Sequence, residues 1–457
     1  MINIGELEKL QSAFQIKVKM KMKNTSIITN VDSYKVSMYN QYPPGTKSVY
    51  SYIEARKGGN LLFFGLQAYL KEYLSKPITM SDIDYAEKLW KAHGEPFNRE
   101  NWEYILYEYD GYLPLIVKAL PEGHIYPEKT VLVTVENTDP KCFWLTIWVE
   151  TSMLRAVWYG STVASNSKKI KNVIQEYIDK SSMHPESIAF KLNDFGFRGV
   201  SSYESAGIGG AAHLINFAGT DNMAGIQFAM EYYDSDVCGY SIPAMEHSTC
   251  TSWGKDNEVN AYRNMLNQYG NGMMLACVSD AYDIYNACDN IWGKELKDEV
   301  MSCNATVVIR PDSGDPVEVC LNVVEILAKN FGYTVNEKGY KTLNKVRIIQ
   351  GDGVNINSIT EILDTFETNG WSSDNIVFGM GGALLQSVSR DDYSFAMKCS
   401  SVNIDGFDMD VFKSPVTDLG KKSKSGRFDD GCSDIVFLNG KIMRTFTFNE
   451  IRDNSNK

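Results

Sequence analysis

The sequence of 457 residues contains no long apolar run, no closely spaced cysteine pair and only five histidines. No window approaches the ~18 consecutive apolar residues of a membrane span. The opening stretch MINIGELEKLQSAF lacks the apolar segment of a secretory signal. None of the nine cysteines forms a C-x-x-C pair, so neither a zinc site nor a redox dithiol is indicated. We therefore expect a cytoplasmic protein with free thiols and no membrane attachment.

Positive charge is also in short supply. Lys and Arg total 45 against 57 Asp and Glu, which gives a formal net charge of −12. This balance argues against non-specific binding to nucleic acid or to an anionic membrane over most of the surface. Any anionic ligand must therefore be held by a local cluster of cations.

The composition is that of a folded globular protein, with 44% hydrophobic and 22% charged residues. Residues 1–25 form an extension, in which QIKVKMKMK (15–23) is typical of an exposed edge strand or a basic partner-binding arm. Residues 26–184 mix aromatic-rich and strand-like segments, which predicts an α+β domain without regular alternation.

A different pattern begins near residue 185 and continues to about residue 430. Apolar runs recur, each followed by a turn with Gly or Asp and then by a segment of helical period. This repetition predicts an α/β barrel, with a doubly wound sheet as the structural alternative. The runs are 187–192, 211–218, 240–245, 274–279, 306–310, 346–351, 375–380 and 396–402.

The turns after these runs carry carboxylates. In both folds a ligand binds at the carboxyl ends of the strands, where such turns lie. Carboxylates there could hold Mg²⁺, bond ribose hydroxyls or stabilise a cationic transition state, although Asp is also common in turns without a ligand. The residues concerned are Asp221, Asp280, Asp312 and Asp352.

Cations and glycines accompany the carboxylates. Arg198, Arg310, Arg390 and Lys398 all fall at or just after predicted strand ends. Four cations on one barrel face would form a polyphosphate pocket, whereas singly each would be a surface ion pair. The glycine turns 351–353 and 379–382 suit a phosphate held by backbone N–H groups, or are plain tight turns. The Lys-rich stretch 413–427 is either a lid or a solvated loop.

Two histidines differ in their setting. His213 lies inside an apolar run and is predicted to be a core residue. His247 lies in a strand-end turn beside Glu246, so it is the candidate for chemistry.

A series of segments in order along the chain resembles the nicotinamide phosphoribosyltransferase family. The resemblance runs from about residue 27 to 430 and leaves the first 25 residues outside. The segments are VDSYKVSMYNQYPPGTKSVYSYIEAR (31–56), FGLQ (64–67), VENTDP (135–140), FGFRGVSS (195–202), GTD (219–221), EHST (246–249), SDAYDIYN (279–286), IRPDSGDP (309–316), QGDGVNIN (350–357), FGMGGALLQ (378–386) and VFKSPV (411–416).

The resemblance implies a reaction and an architecture. Nicotinamide is joined to phosphoribosyl pyrophosphate, giving nicotinamide mononucleotide and pyrophosphate in NAD salvage. The fold is a barrel-like α/β domain plus a mixed domain built mainly from the N-terminal part, to which residues 431–457 return. The assembly is a homodimer with two active sites shared at the subunit interface.

The resemblance also implies roles for individual residues. Phe195 stacks on nicotinamide, Tyr34 of the partner subunit covers the opposite face, and Asp221 faces the carboxamide. The catalytic group is His247, Asp280, Arg310 and Asp312. The phosphate and pyrophosphate contacts are Gly351, Asp352, Gly382 and Arg390, with Arg198 beside His247 and with Arg56, Lys398 and Lys413 as further contacts. Mg²⁺ is the implied cofactor, and ATP is a coupled effector acting through phosphorylation of His247. Ala396, where a Ser is expected, and Met380, where a small polar residue is usual, depart from the family pattern.

The implied chemistry needs no general base, because the attacking pyridine nitrogen has an in-plane lone pair and no proton. The barrier lies in breaking the C1–pyrophosphate bond, so positioning and electrostatics dominate. The alternatives are a nicotinate phosphoribosyltransferase, a catalytically idle binding or signalling homologue, and another phosphate-handling barrel enzyme.

Overall fold

The computed structural model describes residues 26–428 and 434–457. The predicted N-terminal extension, with its edge strand or arm, lies outside these residues. The strands are β1 Thr46–Ala55, β2 Leu61–Leu62, β3 Leu115–Ala119, β4 Ile125–Tyr126, β5 Val131–Asn137, β6 Leu192–Asp194, β7 Gly219–Thr220, β8 Met274–Val278, β9 Thr306–Arg310, β10 Tyr333–Val335, β11 Lys341–Leu343, β12 Val346–Gln350, β13 Ile376–Met380, β14 Phe395–Ile404, β15 Phe407–Asp410, β16 Ile435–Leu438 and β17 Lys441–Ile442.

Helices connect these strands. The α-helices are Leu66–Tyr69, Met80–His93, Arg99–Glu108, Leu145–Trp148, Glu150–Ser181, Tyr203–Leu214, Met223–Tyr233, His247–Thr251, Glu258–Tyr269, Ile284–Asn286, Lys297–Ser302, Pro316–Phe331, Ile356–Thr368, Gly382–Leu385 and Phe448–Ser455. Two π-helical segments, Leu70–Leu74 and Ala287–Glu295, extend the helices that precede them.

A seven-stranded antiparallel sheet forms the first domain, in the order β15-β14-β1-β5-β3-β16-β17. Its central strands come from the N-terminal part, and strands from near the C-terminus are added at both edges. A hydrophobic core packs against this sheet. It contains Trp102, Trp144 and Trp148, whose rings are in mutual edge-to-face contact.

A six-stranded parallel sheet forms the second domain, in the order β7-β6-β13-β12-β9-β8. The segment 240–245 links its two edges through single parallel bridges, Gly219 to Tyr240 and Ala244 to Ala276. The expected fold class, a barrel-like βα domain with a second mixed α+β domain, is confirmed.

Side chains of the parallel strands alternate between two environments. Leu275, Val307 and Ile348 belong to the large core under the surrounding helices. Their neighbours Ala276, Val308 and Ile349 form a separate small cluster, against which Phe195 packs. Because strand residues alternate in direction, this cluster lies on the inner face of the sheet. The inner face therefore leads towards the turns at the strand ends.

The 32-residue helix Glu150–Ser181 joins the two domains. Its first turns, with Met153 and Val157, belong to the core of the antiparallel domain. Its later turns, with Ile170 and Ile174, belong to the core of the barrel domain. One continuous helix therefore fixes the two domains to each other.

Several predicted barrel strands differ in the structure. Residues 187–190 lie in a 3₁₀ helix, so the first strand begins only at Leu192. Residues 211–214 end the helix Tyr203–Leu214, because a short apolar run alone does not distinguish a buried helix from a buried strand. The segment 240–245 makes only single bridges and contains Pro243, which has no N–H to donate.

The run 396–402 is a strand, but the prediction that it belongs to the barrel is wrong. It lies in β14, which pairs antiparallel with β1 in the first sheet. Tyr52 is the residue opposite Lys398 in this pairing. Lys398 therefore does not lie on the barrel face with the other predicted cations.

Other predictions concern single residues. Eight described cysteines are free thiols, and six of them are buried. His213 is a core residue as predicted; its ring nitrogens contact Ser167 Oγ at 3.1 Å and the Gly219 carbonyl at 3.2 Å. Within residues 26–428 and 434–457, no helix has the length and apolar character needed to cross a membrane.

Candidate active site

The carboxyl ends of the parallel strands form the mouth of the barrel. Parallel strands end at the same edge of a sheet, so the turns that follow them lie together. These turns bring together most of the predicted residues: Phe195, Arg198, Asp221, His247, Asp280, Arg310, Asp312, Gly351, Asp352 and Gly382.

His247 lies between two carboxylates of the mouth. Its Nε2 is 3.0 Å from Asp280 Oδ1, and its Nδ1 is 3.9 Å from Asp312 Oδ2. The Ser313 hydroxyl donates to Asp280 Oδ2 at 2.6 Å, so both oxygens of this nearly buried carboxylate are bonded. Asp280 therefore orients the imidazole and keeps Nε2 protonated.

Arg310 supplies positive charge next to this group. Its Nη2 donates to Asp312 Oδ2 at 3.2 Å. Its Nε is buried and has no hydrogen-bond partner among the described residues. A buried guanidinium N–H without a partner is costly, so this donor suits an anionic ligand in the mouth.

The ring of Phe195 lies against two glycines. Its Cε2 is 1.9 Å from the position that a Cβ on Gly379 would occupy, and 3.6 Å from the corresponding position on Gly351. That position on Gly351 is also 3.3 Å from Asp312 Oδ1. The two glycines therefore leave room for the ring on the inner face, close to the Asp312 carboxylate.

Asp221 follows β7 and is exposed in the mouth. The Ser241 hydroxyl donates to its Oδ1 at 2.5 Å. Behind it, the buried Asp194 accepts hydrogen bonds from Gly196 N and from the Asn222 amide. Burial raises the pKa of Asp194 to about 6, while these two N–H donors oppose the rise.

Arg198 and Gly382 lie on neighbouring turns. A Cβ on Gly199 would be 3.2 Å from Gly382 Cα, whereas a Cβ on Gly382 would meet no atom within 4 Å. A hydrogen bond from Ser248 lowers the pKa of Glu246, and the positive charge of Arg198 adds to this effect. The space above Gly382 is therefore open, and the neighbouring turn carries Arg198.

A second group of predicted residues lies on the antiparallel domain, away from the turns of the barrel. Burial lowers the pKa of Lys398; the charge of Glu150, which pairs with Lys35, opposes this, and the charges of Arg56, Lys413 and Lys35 act in the same direction as burial. Lys35 Nζ lies 5.2 Å from the ring centroid of the exposed Tyr34. These residues form one cationic cluster.

Arg390 lies in the turn between the two groups. Its side chain pairs with Asp391 at 3.3 Å, and its carbonyl accepts from Phe395 N at the start of β14. Among the described residues, no ring contact joins Tyr34 to Phe195 within one chain.

The two departures from the family pattern have different settings. Met380 packs into the core under the helices, so its side chain points away from the mouth, and its carbonyl accepts from Phe195 N. Ala396 is buried in β14 opposite Glu54, two residues before Lys398.

Sequence reasoning did not single out Gly379, Ser241, Asp194 or Asn222. The sequence predicts a phosphate turn that includes Gly379, whereas in the structure this glycine makes room for an aromatic ring. Ser241 lay in a segment predicted to be a strand. Asn222 is the N-cap of the helix Met223–Tyr233, which the Asp-Asn pair before an apolar helical segment could have indicated.

Models of known protein families match two segments of the chain. Residues 190–444 match the nicotinate phosphoribosyltransferase (NAPRTase) family. The chain belongs to this family. Residues 26–117 match the N-terminal domain of nicotinamide phosphoribosyltransferase.

Curated relatives match over nearly the whole chain. The nicotinamide phosphoribosyltransferase of Xanthomonas campestris is 47% identical over 93% of this chain and 97% of the relative. That of Acinetobacter baylyi is 31% identical over 92% and 95%, respectively.

Solved structures support the fold. Nicotinate-nucleotide pyrophosphorylase from Pyrococcus furiosus has a TM-score of 0.58 at 15% identity and covers 97% of both chains. Human nicotinic acid phosphoribosyltransferase has a TM-score of 0.58 at 14% identity and covers 93% of this chain and 92% of that one.

Proposed function

We propose that this family member is a nicotinamide phosphoribosyltransferase, which joins nicotinamide to phosphoribosyl pyrophosphate in NAD salvage. The observation that carries the proposal is the mouth itself, where an aromatic face, a carboxylate and an Arg with one buried, unpaired N–H donor meet. The match to the N-terminal domain model and the 47% identical relative support nicotinamide as the acceptor.

Each residue of the mouth has its own role in the proposed reaction. Phe195 stacks on the nicotinamide ring, and Asp221 accepts the carboxamide N–H groups. Asp312 bonds the ribose hydroxyls beside the ring. Arg310 and Arg198 balance the charge of the leaving pyrophosphate while the C1 bond breaks. The pyridine nitrogen carries no proton, so no side chain acts as a general base.

Mg²⁺ fits the donors of the mouth. The described residues hold no cluster of three or more metal-ligating side chains. Asp312 and Asp352 offer carboxylate oxygens, and Mg²⁺ binds one or two carboxylates and otherwise waters and substrate phosphates. Asp352 and the Oδ1 atom of Asp312 would hold it. When bound, the ion supplies charge neutralisation for pyrophosphate.

The active unit is proposed to be a homodimer with shared sites. Tyr34 is 56% exposed and lies with Arg56, Lys398 and Lys413 on the antiparallel domain rather than at the mouth of its own barrel. In the dimer this cluster faces the mouth of the other subunit. Tyr34→Ala and Phe195→Ala subunits, each inactive alone, should regain partial activity after subunit exchange. Absence of recovery despite demonstrated exchange would contradict shared sites.

A mass assay tests the activity directly. The protein is incubated with phosphoribosyl pyrophosphate and either nicotinamide or nicotinate, and each mononucleotide is quantified. Nicotinamide mononucleotide should dominate. Equal use of nicotinate would favour the nicotinate reaction, and no product from either would favour an idle homologue.

A further inference from the structure

The buried Asp194 lies behind two turns of the mouth. In the proposed function, one turn carries Phe195, which stacks on the nicotinamide ring, and the other carries Asp221, which accepts the carboxamide N–H groups. It is the last residue of β6, directly before Phe195, and it is fully buried. The neighbouring strand β7 ends at Thr220, directly before Asp221. The side chain of Asp194 points away from the mouth, so it cannot touch the substrate itself.

The carboxylate of Asp194 joins these two turns. Oδ1 accepts from Gly196 N at 2.7 Å, in the turn that carries Phe195. Oδ2 accepts from Asn222 Nδ2 at 2.9 Å, in the turn that carries Asp221. The backbone adds a third link, since the Asp194 carbonyl accepts from Asp221 N at 3.0 Å.

Asn222 extends the connection. It is also fully buried, and its amide donates to the Ala206 carbonyl at 2.9 Å as well as to Asp194. Its Oδ1 accepts from Gly225 N and so caps the helix Met223–Tyr233. The turn with Asp221 is thereby fixed to two helices and, through Asp194, to the turn with Phe195.

We propose that Asp194 is a positioning residue, which with Asn222 sets the spacing between Phe195 and Asp221 and thereby the affinity for nicotinamide. This inference rests on the proposed function. A stacking ring and a carboxylate recognise one small substrate together only if their separation is fixed.

The electrostatics agree with a role beyond packing. Burial raises the pKa of Asp194 to about 6, and the nearby Asp221 charge adds to the rise. At neutral pH the group is therefore ionised despite an unfavourable environment. A neutral amide has only one acceptor oxygen, so it could not accept from both Gly196 N and the Asn222 amide.

Two variants test the inference. Asp194→Asn keeps the shape but turns an N–H group towards one of the two donors. Asn222→Ser keeps a good helix N-cap but removes the amide that reaches Asp194. Each should raise the KM for nicotinamide about tenfold or more, because a charged hydrogen bond is lost. The KM for phosphoribosyl pyrophosphate should stay within about twofold of wild type.

A matched control separates positioning from stability. Asp364 also accepts a side-chain hydrogen bond, from the Tyr177 hydroxyl, but lies on the helix Ile356–Thr368 behind the barrel. Asp364→Asn should leave both KM values unchanged, even where its melting temperature falls. The double variant Asp194→Asn/Asn222→Asp exchanges the two side chains, so that an amide again donates to a carboxylate. It should recover part of the nicotinamide affinity.

Calorimetric titration with nicotinamide measures its binding to each variant without requiring turnover. Weaker binding in Asp194→Asn but not in Asp364→Asn supports the inference, even for a protein that forms no mononucleotide. Unchanged nicotinamide KM and binding in Asp194→Asn would overturn it, as would an equal rise in both KM values. Wild-type protein that neither binds nor converts nicotinamide would overturn both the proposed function and the inference.

Discussion

Phe195 and Gly379 are in contact closer than any side chain at residue 379 would allow. The Cε2 atom of the ring is 1.9 Å from the position that a Cβ would take. The glycine is required by the ring rather than by backbone strain, since no positive φ occurs at this residue. The aromatic face of the mouth therefore depends on a residue of a different strand.

Gly379→Ala should displace the Phe195 ring and impair nicotinamide binding. We expect the KM for nicotinamide to rise about tenfold, which corresponds to about 1.4 kcal/mol. Steady-state kinetics with saturating phosphoribosyl pyrophosphate measures this change. Gly420→Ala, at an exposed position of the 3₁₀ helix Leu419–Lys421 where only the Asp418 side chain lies nearby, is the control. An unchanged nicotinamide KM in a folded Gly379→Ala protein would contradict the stacking role.

Gly382→Asp should weaken binding of phosphoribosyl pyrophosphate. The space beside Gly382 is open, so the new side chain fits sterically but sets a negative charge where the 5′-phosphate is proposed to bind. The KM for phosphoribosyl pyrophosphate should rise, and Gly382→Ala should have the smaller effect because it adds no charge. A wild-type KM in the Asp variant would place the phosphate elsewhere.

Strand direction explains which residues of the site could be predicted from the sequence. His247 and Asp280 each follow a separate apolar run, and Arg310 is the last residue of a third. Parallel strands bring their carboxyl ends, and the turns after them, to one edge of the sheet. Lys398 also lies in an apolar run, but its strand pairs antiparallel with β1. The sequence of one strand does not specify which strand it pairs with, so the position of Lys398 could not be predicted from its apolar run alone.

The same limit applies to close approaches. The contact of Phe195 with Gly379 joins residues far apart in the chain, so the local sequence predicts only a phosphate turn at this glycine. The apolar run 211–218 was ambiguous for another reason. A fully buried helix has no polar face, so its residues resemble those of a buried strand.

We propose that ATP phosphorylates His247, as the resemblance implies. Asp280 bonds Nε2, which leaves the Nδ1 lone pair as the acceptor of the γ-phosphoryl group, with ADP leaving. Acid-labile ³²P transfer from γ-labelled ATP should appear in wild type and vanish in His247→Ala. Label that persists in this variant would exclude His247 as the acceptor.

His213 should make the folded state sensitive to acid. Burial lowers its pKa from 6.5 to about 4, so only the unfolded chain takes up this proton between those values. Its contribution to stability is therefore lost as pH falls through this window, by at most about 1.4 kcal/mol per pH unit. Urea unfolding at pH 7.5, 6 and 5 should give a shallower loss for His213→Gln than for wild type. Equal slopes would contradict the assignment.

The choice between nicotinamide and nicotinate should depend on Asp221. A carboxamide offers N–H donors, which the Asp221 carboxylate accepts, whereas nicotinate would set two negative charges within hydrogen-bonding distance. Such a like-charge contact costs several kcal/mol, enough for at least ~10²-fold discrimination. Ser241 donates to Oδ1 of Asp221 and so orients the carboxylate without neutralising it.

Asp221→Ser should therefore lose kcat/KM for nicotinamide and gain some activity with nicotinate. Arg198 and Arg310 would soften the repulsion only if they reached the ring substituent, and both are assigned to the phosphate side. Ser241→Ala is the informative companion, because it frees the carboxylate without removing its charge: nicotinamide use should fall modestly with no gain for nicotinate. Comparable kcat/KM values for both substrates in wild type would remove Asp221 as the selector, since a charge that discriminates must do so before it is mutated.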